Sequence, residues 1–546
     1  MKWKILFWIV FVFILNGFYS QTKLFKEVSD SIGIDYIYPG NDFQMAGGGL
    51  MVIDVNNDGW EDVFQSGGVF ESKLWINDHG SFFDGTNIYG LESLKGFFIQ
   101  GAFCADYNND GYQDFVIANY GIGMGQGDKR YPAILKNIKG KRFELISLEG
   151  VVEIGNYSSA CWGDINKDGY ADLYLCNYVS AMGGIMDSLG SEIGYDPIGY
   201  ENKLLINKKG KSFYECAKDF GVNDIGCALA ASFSDIDNDG DQDLLLLNDF
   251  GEWTHQGNRY YRNNFPLTSF TDVSLEKGFY KEMYGMGIGQ GDYDLDGDID
   301  YYVTNIGRNY LFKNNNGKFT DVGQKKNIDL TFVYDSTMGT SWSGLFFDYE
   351  FDGDLDLYVS KGNVATLVPE TTIKDPNVLF VNNNGKFEDS SSASGVDDFL
   401  SHRGSIVFDY DHDGDLDIFS SVVKLTWSAY EKKDQKLKVY QNQSNKTNFI
   451  GIKMVGDKKV NSDCFSCRAL FENNGKKMLK EVDGARGQAS QSTRILYFGL
   501  GDSKKIDKLT LIWPDGSKNI FKNLNGGLIY QVKRNGQIKE LNYIKK

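Results

Sequence analysis

The 546-residue chain has only seven prolines and four histidines, His79, His255, His402 and His412. The first scarcity leaves no proline-rich linker. The second, together with the absence of G-x-S-x-G and H-E-x-x-H, removes the usual marks of serine hydrolases and zinc proteases. Basic charge is also in deficit. Against 74 Asp and Glu stand 56 Lys and Arg, and the formal net charge of −18 opposes nucleic-acid binding. Seven cysteines cannot all pair, so no small disulfide framework is implied. Cys104, Cys161, Cys176 and Cys227 lie in strand-like apolar runs and read as small buried residues. Cys464-Phe-Ser-Cys467 has C-x-x-C spacing, but no second pair or nearby histidine completes a zinc site. A local disulfide and two free thiols both remain open there.

Long apolar runs are missing beyond the N-terminus. There, Lys2 and Lys4 precede an apolar run from Ile5 to Leu15, and small and polar residues follow to Ser20. Residues 1–20 thus have the layout of a secretory signal peptide, too short for a comfortable membrane span. The expected mature chain is soluble and secreted, extracellular or periplasmic; a retained signal anchor is the alternative.

What the chain has is glycine, 63 residues, and a repeat. The nonapeptide DIDNDGDQD (235–243) recurs as DVNNDGWED (54–62), DYNNDGYQD (106–114), DINKDGYAD (164–172), DYDLDGDID (292–300), DYEFDGDLD (348–356) and DYDHDGDLD (409–417). Successive copies start 52, 58, 71, 57, 56 and 61 residues apart, and short β-rich runs flank each. A second hairpin signal follows in each unit, as in NYLFKNNNGKFTDV, where Asn-Gly divides alternating apolar residues. Each unit therefore reads as four antiparallel strands with the acidic loop joining the first two, which is a propeller blade. The segment TKLFKEVSDSIGI (22–34) resembles a fourth strand yet precedes the first loop. It is expected to complete the seventh blade and close the ring. The fold class is all-β: a seven-bladed β-propeller over 21–447, then a small β-sandwich-like or barrel-like domain over 448–546.

Positions 1, 3, 5 and 9 of every nonapeptide carry oxygen-bearing side chains, position 6 is Gly, and the carbonyl of position 7 adds an oxygen. In order, the sets are Asp54, Asn56, Asp58, Trp60 and Asp62; Asp106, Asn108, Asp110, Tyr112 and Asp114; and Asp164, Asn166, Asp168, Tyr170 and Asp172. Then come Asp235, Asp237, Asp239, Asp241 and Asp243; Asp292, Asp294, Asp296, Asp298 and Asp300; Asp348, Glu350, Asp352, Asp354 and Asp356; and Asp409, Asp411, Asp413, Asp415 and Asp417. Flexible oxygens in a tight loop suit Ca²⁺ better than octahedral Mg²⁺, so up to seven Ca²⁺ are expected. An EF-hand is excluded, because position 12 is never Glu and a strand follows. Asn at position 3 in the first three copies leaves three acidic ligands each. The last four copies have four, so stronger sites are expected in the second half of the ring, with Glu350 altering the sixth.

These loops resemble the FG-GAP/VCBS repeats, like those of integrin α-subunit propellers. From Asn448 the runs NFIGIKMVG, DGARGQASQSTRILYFGLG and KIDKLTLIWPDGSKNIFKNL resemble the ASPIC/UnbV domain. The combination is similar to the cartilage acidic protein family, with two departures: Gln488 where an aromatic residue is usual, and Cys464-Phe-Ser-Cys467 where an Ile-Gly-Ala-Arg-like stretch is usual. The resemblance implies a calcium-stabilised extracellular binding or adhesion module for a glycan or protein ligand. Loops joining strands two and three lie opposite the acidic turns. They and the Trp253 loop bring Tyr120, Tyr131, Tyr178, Tyr195, Trp253, Trp427 and Tyr430 towards that face. Alternatives are a Ca²⁺-dependent lyase, hydrolase or cyclase, for which His402-Arg403 near a channel mouth is the candidate feature, and a scaffold in an envelope or biosynthetic assembly.

Overall fold

The structure is a computed structural model. It describes residues 23–37, 47–120, 131–190, 192–330, 338–363, 375–423, 435–444, 448–485 and 488–541. The signal segment 1–20, Trp427, Tyr430 and the Tyr195 side chain lie outside the described residues.

Alternating apolar runs broken by Gly and Asn turns fold into four-stranded antiparallel meanders. Seven of these form the first part of the chain. Their innermost strands are Leu50–Ile53, Ile99–Ala105, Tyr157–Gly163, Ala228–Ser234, Ile288–Gly291, Ser341–Phe347 and His402–Phe408. Each touches the next, and the last touches the first, so the sheets stand as blades around a closed ring. Large aromatic and aliphatic side chains fill the wedges between blades, with Phe64 against Phe115 and Tyr174 against Phe233. The inner strands carry small residues where the radius is least.

The ring closes as expected. Strand Phe25–Glu27 pairs antiparallel with Lys438–Asn442, with Phe25 opposite Asn442, and supplies the outer strand of blade seven. The longest spacing between acidic loops has a structural cause. Blade three carries an additional hairpin, Val179–Met186 with Glu192–Gly199, between its second and third strands.

The C-terminal part forms two further four-stranded sheets. One holds Leu496–Gly499, Phe449–Val455, Leu528–Lys533 and Ile538–Leu541, with Phe449–Val455 and Leu528–Lys533 parallel. The other holds Lys476–Glu481, Arg468–Asn473, Lys508–Ile512 and Lys518–Lys522. Phe471 and Phe498, one from each, stack at 5.0 Å and join their faces. No helix among the described residues is long and apolar enough to cross a membrane.

Phe25 is buried and packs 6.0 Å from Tyr349 in the cluster between blades six and seven. Phe25→Ala is expected to cost about 3 kcal/mol or more and to lower the denaturant midpoint; an unchanged midpoint would show that the outer strand does not hold the ring closed.

Candidate acidic-loop face and the opposite aromatic face

The nonapeptides adopt one geometry seven times. Position 4 is left-handed throughout (Asn57, Asn109, Lys167, Asn238, Leu295, Phe351 and His412, φ 53 to 62°), and the position-6 Gly has φ 87 to 98°. A left-handed Leu or Phe is strained, so the fold imposes this bend. The position-5 carboxylate accepts the position-7 amide in every loop, at 2.8 to 3.1 Å.

Position 9 does different work. Asp62, Asp114, Asp172, Asp243, Asp300, Asp356 and Asp417 are all buried. Each accepts, at 2.7 to 2.8 Å, the backbone amide of an Asn that ends the third strand of its blade. The same residues, Asn77, Asn137, Asn207, Asn263, Asn314, Asn382 and Asn442, each donate from Nδ2 to the position-2 carbonyl of the preceding blade at 2.8 to 3.1 Å. The acidic loop is thus bolted to its own blade and to its neighbour. The recurring Asn stands in the sequence in WIND, LLIN and YRN, where no local pattern marks its role.

Carboxylates converge in loops four, five and seven. One oxygen from each of Asp235, Asp237 and Asp239 lies within 4.8 Å of the others, and the same holds for Asp292, Asp294 and Asp300 and for Asp409, Asp411 and Asp417. In these loops Asp235 Oδ1, Asp237 Oδ1, Asp294 Oδ1, Asp300 Oδ2, Asp409 Oδ1 and Asp417 Oδ2 are buried without a hydrogen-bond partner. Orphaned buried carboxylate oxygens are costly and fit a hard cation among them. Loop six, with Glu350, is not among the converging sets found in the described residues. Loops one to three offer Asn at position 3. Asn108 and Asn166 already accept the position-5 amide there, each at 2.9 Å.

Burial, followed by a neighbouring carboxylate, pushes Asp106 up to about 6 and Asp164 and Asp348 up to about 7. Burial also drives Asp292 up to about 7 and Asp172, Asp243, Asp356 and Asp417 well above the carboxylate range. Lys313 already serves loop five, its ammonium bridging Asp294 and Asp296.

The C-terminal sheets sit on this face. Arg468 Nη1 bonds Asp235 Oδ2 at 2.8 Å, Ser462 Oγ bonds Asp106 Oδ2 at 2.9 Å, and Lys476 Nζ reaches Asp354 Oδ1 at 2.9 Å. Residues 488–493 enter the axis of the ring. Gln491 bridges to Met51 in parallel register and takes the Cys104 amide on its Oε1 at 2.6 Å. Ser490 Oγ accepts the Leu50 amide, Gln488 N meets Ser343 Oγ, and Ser492 Oγ accepts the Val407 amide, each at 3.2 Å. A Cβ on Gly49 or Gly101 would lie 2.3 or 2.7 Å from Ala489 O, so these positions cannot carry a side chain. Sequence reasoning missed this insertion. Gln488, singled out for not being aromatic, is a buried member of it.

One other reading of the sequence is corrected, and one left open is decided. His402 and Arg403 are fully buried in the inner strand of blade seven rather than open to a channel mouth. His402 bonds Asp398 and Ser420, each at 2.7 Å, and the Arg403 guanidinium lies 4.1 Å over the Trp342 ring. Cys464 and Cys467 are buried free thiols, as are the other five cysteines.

Second strands start at the acidic loops, so their ends mark the opposite face. There the rings of Phe98, Tyr120, Tyr178, Phe250, Trp253 and Tyr284 form a chain with successive centroids 5.2 to 6.1 Å apart, crossing blades two to five. Asp249, buried beside it, accepts the Tyr178 hydroxyl, and burial raises its carboxyl to about 7. Phe250 is left-handed at φ 56°. Tyr131 is half-buried against the core of blades two and three and is not part of the chain of rings.

Comparisons with known proteins agree with this architecture. The chain carries FG-GAP-like repeats, matched over residues 106–175 and 292–359, and an ASPIC and UnbV domain over 458–539. It is 24% identical over 533 residues to Cartilage acidic protein 1 of Xenopus tropicalis, covering 92% of this chain and 75% of that protein. Among solved structures it is similar to an Agrocybe aegerita lectin that recognises non-reducing terminal N-acetylglucosamine, at 16% identity and TM-score 0.36, covering 72% of this chain and 94% of the lectin. It is also similar to the V. cholerae biofilm matrix protein Bap1, at 11% identity and TM-score 0.31, covering 92% of this chain and 76% of that one.

Two outcomes are expected. Asn207→Ala strips donors from Tyr107 O and Ala171 O and should destabilise by roughly 1–3 kcal/mol in denaturant melts, whereas a surface Asn→Ala should not. For metal-stripped protein, the folded chain holds protons on Asp164, Asp292 and Asp348 up to about 7, whereas an ordinary Asp releases them near 3.8. That stability is present below the lower value and lost as pH rises through the upper one. The stripped protein should therefore melt higher at about pH 5 than at about pH 8, as read by calorimetry, and the opposite slope would overturn the assignment.

Proposed function

We propose that this FG-GAP and ASPIC/UnbV protein, a distant homologue of Cartilage acidic protein 1, is a secreted or cell-surface calcium-binding propeller that binds a glycan or protein ligand. In this reading the acidic loops hold Ca²⁺ as structural ions. Asp235, Asp237 and Asp239, Asp292, Asp294 and Asp300, and Asp409, Asp411 and Asp417 are the first ligands, with the position-7 carbonyls adding oxygens. The ion neutralises carboxylates that burial has made costly, and the chain's own groups hold each loop in shape around it.

The observation that carries the reading is the division between the two faces. The chain's own C-terminal sheets cover the acidic face, and its own residues fill the axis. The opposite face holds half-buried Tyr120, Tyr178 and Trp253 over the buried rings of Phe98, Phe250 and Tyr284, beside a buried acid. Planar rings with few rotatable bonds suit sugar faces and protein side chains alike. Half-buried Trp253 is the ring best placed to meet a ligand.

A glycan array probed with and without Ca²⁺ tests the reading. Calcium-dependent binding is expected, and Trp253→Ala should weaken it about tenfold or more with little change in melting temperature. Turnover of the arrayed sugars, or retention of full binding by Trp253→Ala, would refute it. Chelation of the wild-type protein should lower its melting temperature by roughly 10 °C; an unchanged melt would remove the calcium assignment.

A further inference from the structure

The position-1 aspartates divide into two groups. Those of loops two to six each meet the C-terminal sheets: Asp106 meets Ser462 Oγ, Asp164 meets Asn461, and Asp235 meets Arg468. Asp292 Oδ2 accepts the Leu479 amide at 2.9 Å, and Asp348 Oδ2 accepts the Gly499 amide at 3.2 Å.

The position-1 backbone amides show the same pattern. Asp54 N and Asp164 N are taken by Gln113 and Gln242, each at 2.8 Å, and each Gln stands at position 8 of the next loop. For loops two and four the next position 8 is Ala171 or Ile299, which has no acceptor. There the C-terminal sheets supply one, Asp463 Oδ2 at 2.6 Å from Asp106 N and Glu481 Oε2 at 3.3 Å from Asp235 N. For loops five and six the next position 8 is Leu355 or Leu416, also without an acceptor, so the C-terminal sheets supply the missing acceptor at two of four such places.

Loop four shows how this bears on an ion. Arg468 takes Asp235 Oδ2, Asp235 O and Asn238 Oδ1, each at 2.8 Å, and its Nε pairs with Glu481 at 3.0 Å. The outer oxygen, the backbone and the bend of the loop are thereby fixed. Asp235 Oδ1 and Asp237 Oδ1 remain buried without partners within the converging carboxylate set.

We propose that Arg468 is a positioning residue of the fourth cation site, and that seating of the C-terminal sheets, with residues 488–493 in the axis, is coupled to cation binding by the loops. The proposal rests on the calcium reading above. Cations drawing on Asp235 and Asp292 fix side chains that the sheets grip. By linkage, the seated sheets raise the loops' affinity in turn.

Full-length wild-type, Arg468→Gln and Arg468→Lys proteins, metal-stripped and then titrated with Ca²⁺ alone, test it by calorimetry and hydrogen exchange. In wild type, calcium should slow exchange of the Gln491 and Leu479 amides about tenfold or more, beyond any slowing at the blade amide of Leu246. Arg468→Gln should weaken one class of sites about tenfold while the other sites keep their affinity, and Arg468→Lys should recover part of the loss. The milder Ser462→Ala, which leaves the core intact, should raise Gln491 exchange at a fixed subsaturating Ca²⁺ concentration. Calcium binding with unchanged Gln491 and Leu479 exchange, or with Arg468→Gln affinities equal to wild type, would overturn the proposal and leave the calcium reading standing. Absence of any Ca²⁺ binding would overturn both.

Discussion

The fold depends on a buried aspartate that cannot be left unsatisfied. At position 9 of each loop, the carboxylate lies inside the blade and takes the amide of an Asn from the third strand. A hydrogen bond to a buried charged group contributes about 1.5–3 kcal/mol, and its loss costs more than that because the charge stays behind. The Asn then spends its own donor on the preceding blade, so each loop sets the spacing of two sheets at once. In blades one to three, five and six its Oδ1 also accepts the amide of the Gly in the following turn, which fixes that hairpin. Around the ring the chain of bonds closes, because Asn77 of blade one reaches Tyr410 of blade seven. Closure is therefore a polar interlock as much as the addition of strand Phe25–Glu27.

The interlock concentrates negative charge on one face. Arg468, Lys476 and Lys313 neutralise part of it, and each does so at a different loop. The rest shows in carboxylates raised by burial and in oxygens without partners. Such a face is unfavourable as a free surface and favourable as a place for cations and for a cover that brings donors. The C-terminal sheets bring main-chain amides, hydroxyls and guanidinium to the same atoms. The aromatic face holds a buried acid of its own, Asp249, satisfied by the Tyr178 hydroxyl; under the proposed function, stability and recognition fall on opposite sides of the molecule.

Much of this was legible in the sequence for a local reason. The nonapeptides, the Asn-Gly hairpins and the fourth-strand pattern at 22–34 are short, periodic and repeated, so strand order and ring closure follow from spacing. The run 488–493 was not legible. Its partners Leu50, Cys104, Ser343 and Val407 are 85 to 440 residues away, and no apolar period marks it. The two amides taken by Asp463 and Glu481 were nevertheless marked at position 8, where Ala171 and Ile299 offer no side-chain acceptor. His402-Arg403 looked polar enough for a channel mouth. The neighbours that bury it, Trp342 and Ser420, come from an adjacent blade and an adjacent strand that no local pattern specifies.

Counting carboxylates does not by itself rank the loops as cation sites. Where position 3 gains an Asp, the third strand gains a donor that faces it. Arg262 acts on Asp237, Lys313 pairs with Asp294, and Gln441 Nε2 bonds Asp411 at 2.7 Å. The same strand position holds Ile76 and Ile206 opposite Asn56 and Asn166 in loops one and three. An entering cation at loop five must displace or share an ammonium, so part of the attraction of the fourth carboxylate is already spent inside the chain. At loop seven the facing third-strand side chain is a neutral amide. Arg468 likewise pairs with Asp235 at loop four, so among the three converging sets local electrostatics place loop seven ahead of loops four and five, an order that carboxylate number alone would not give.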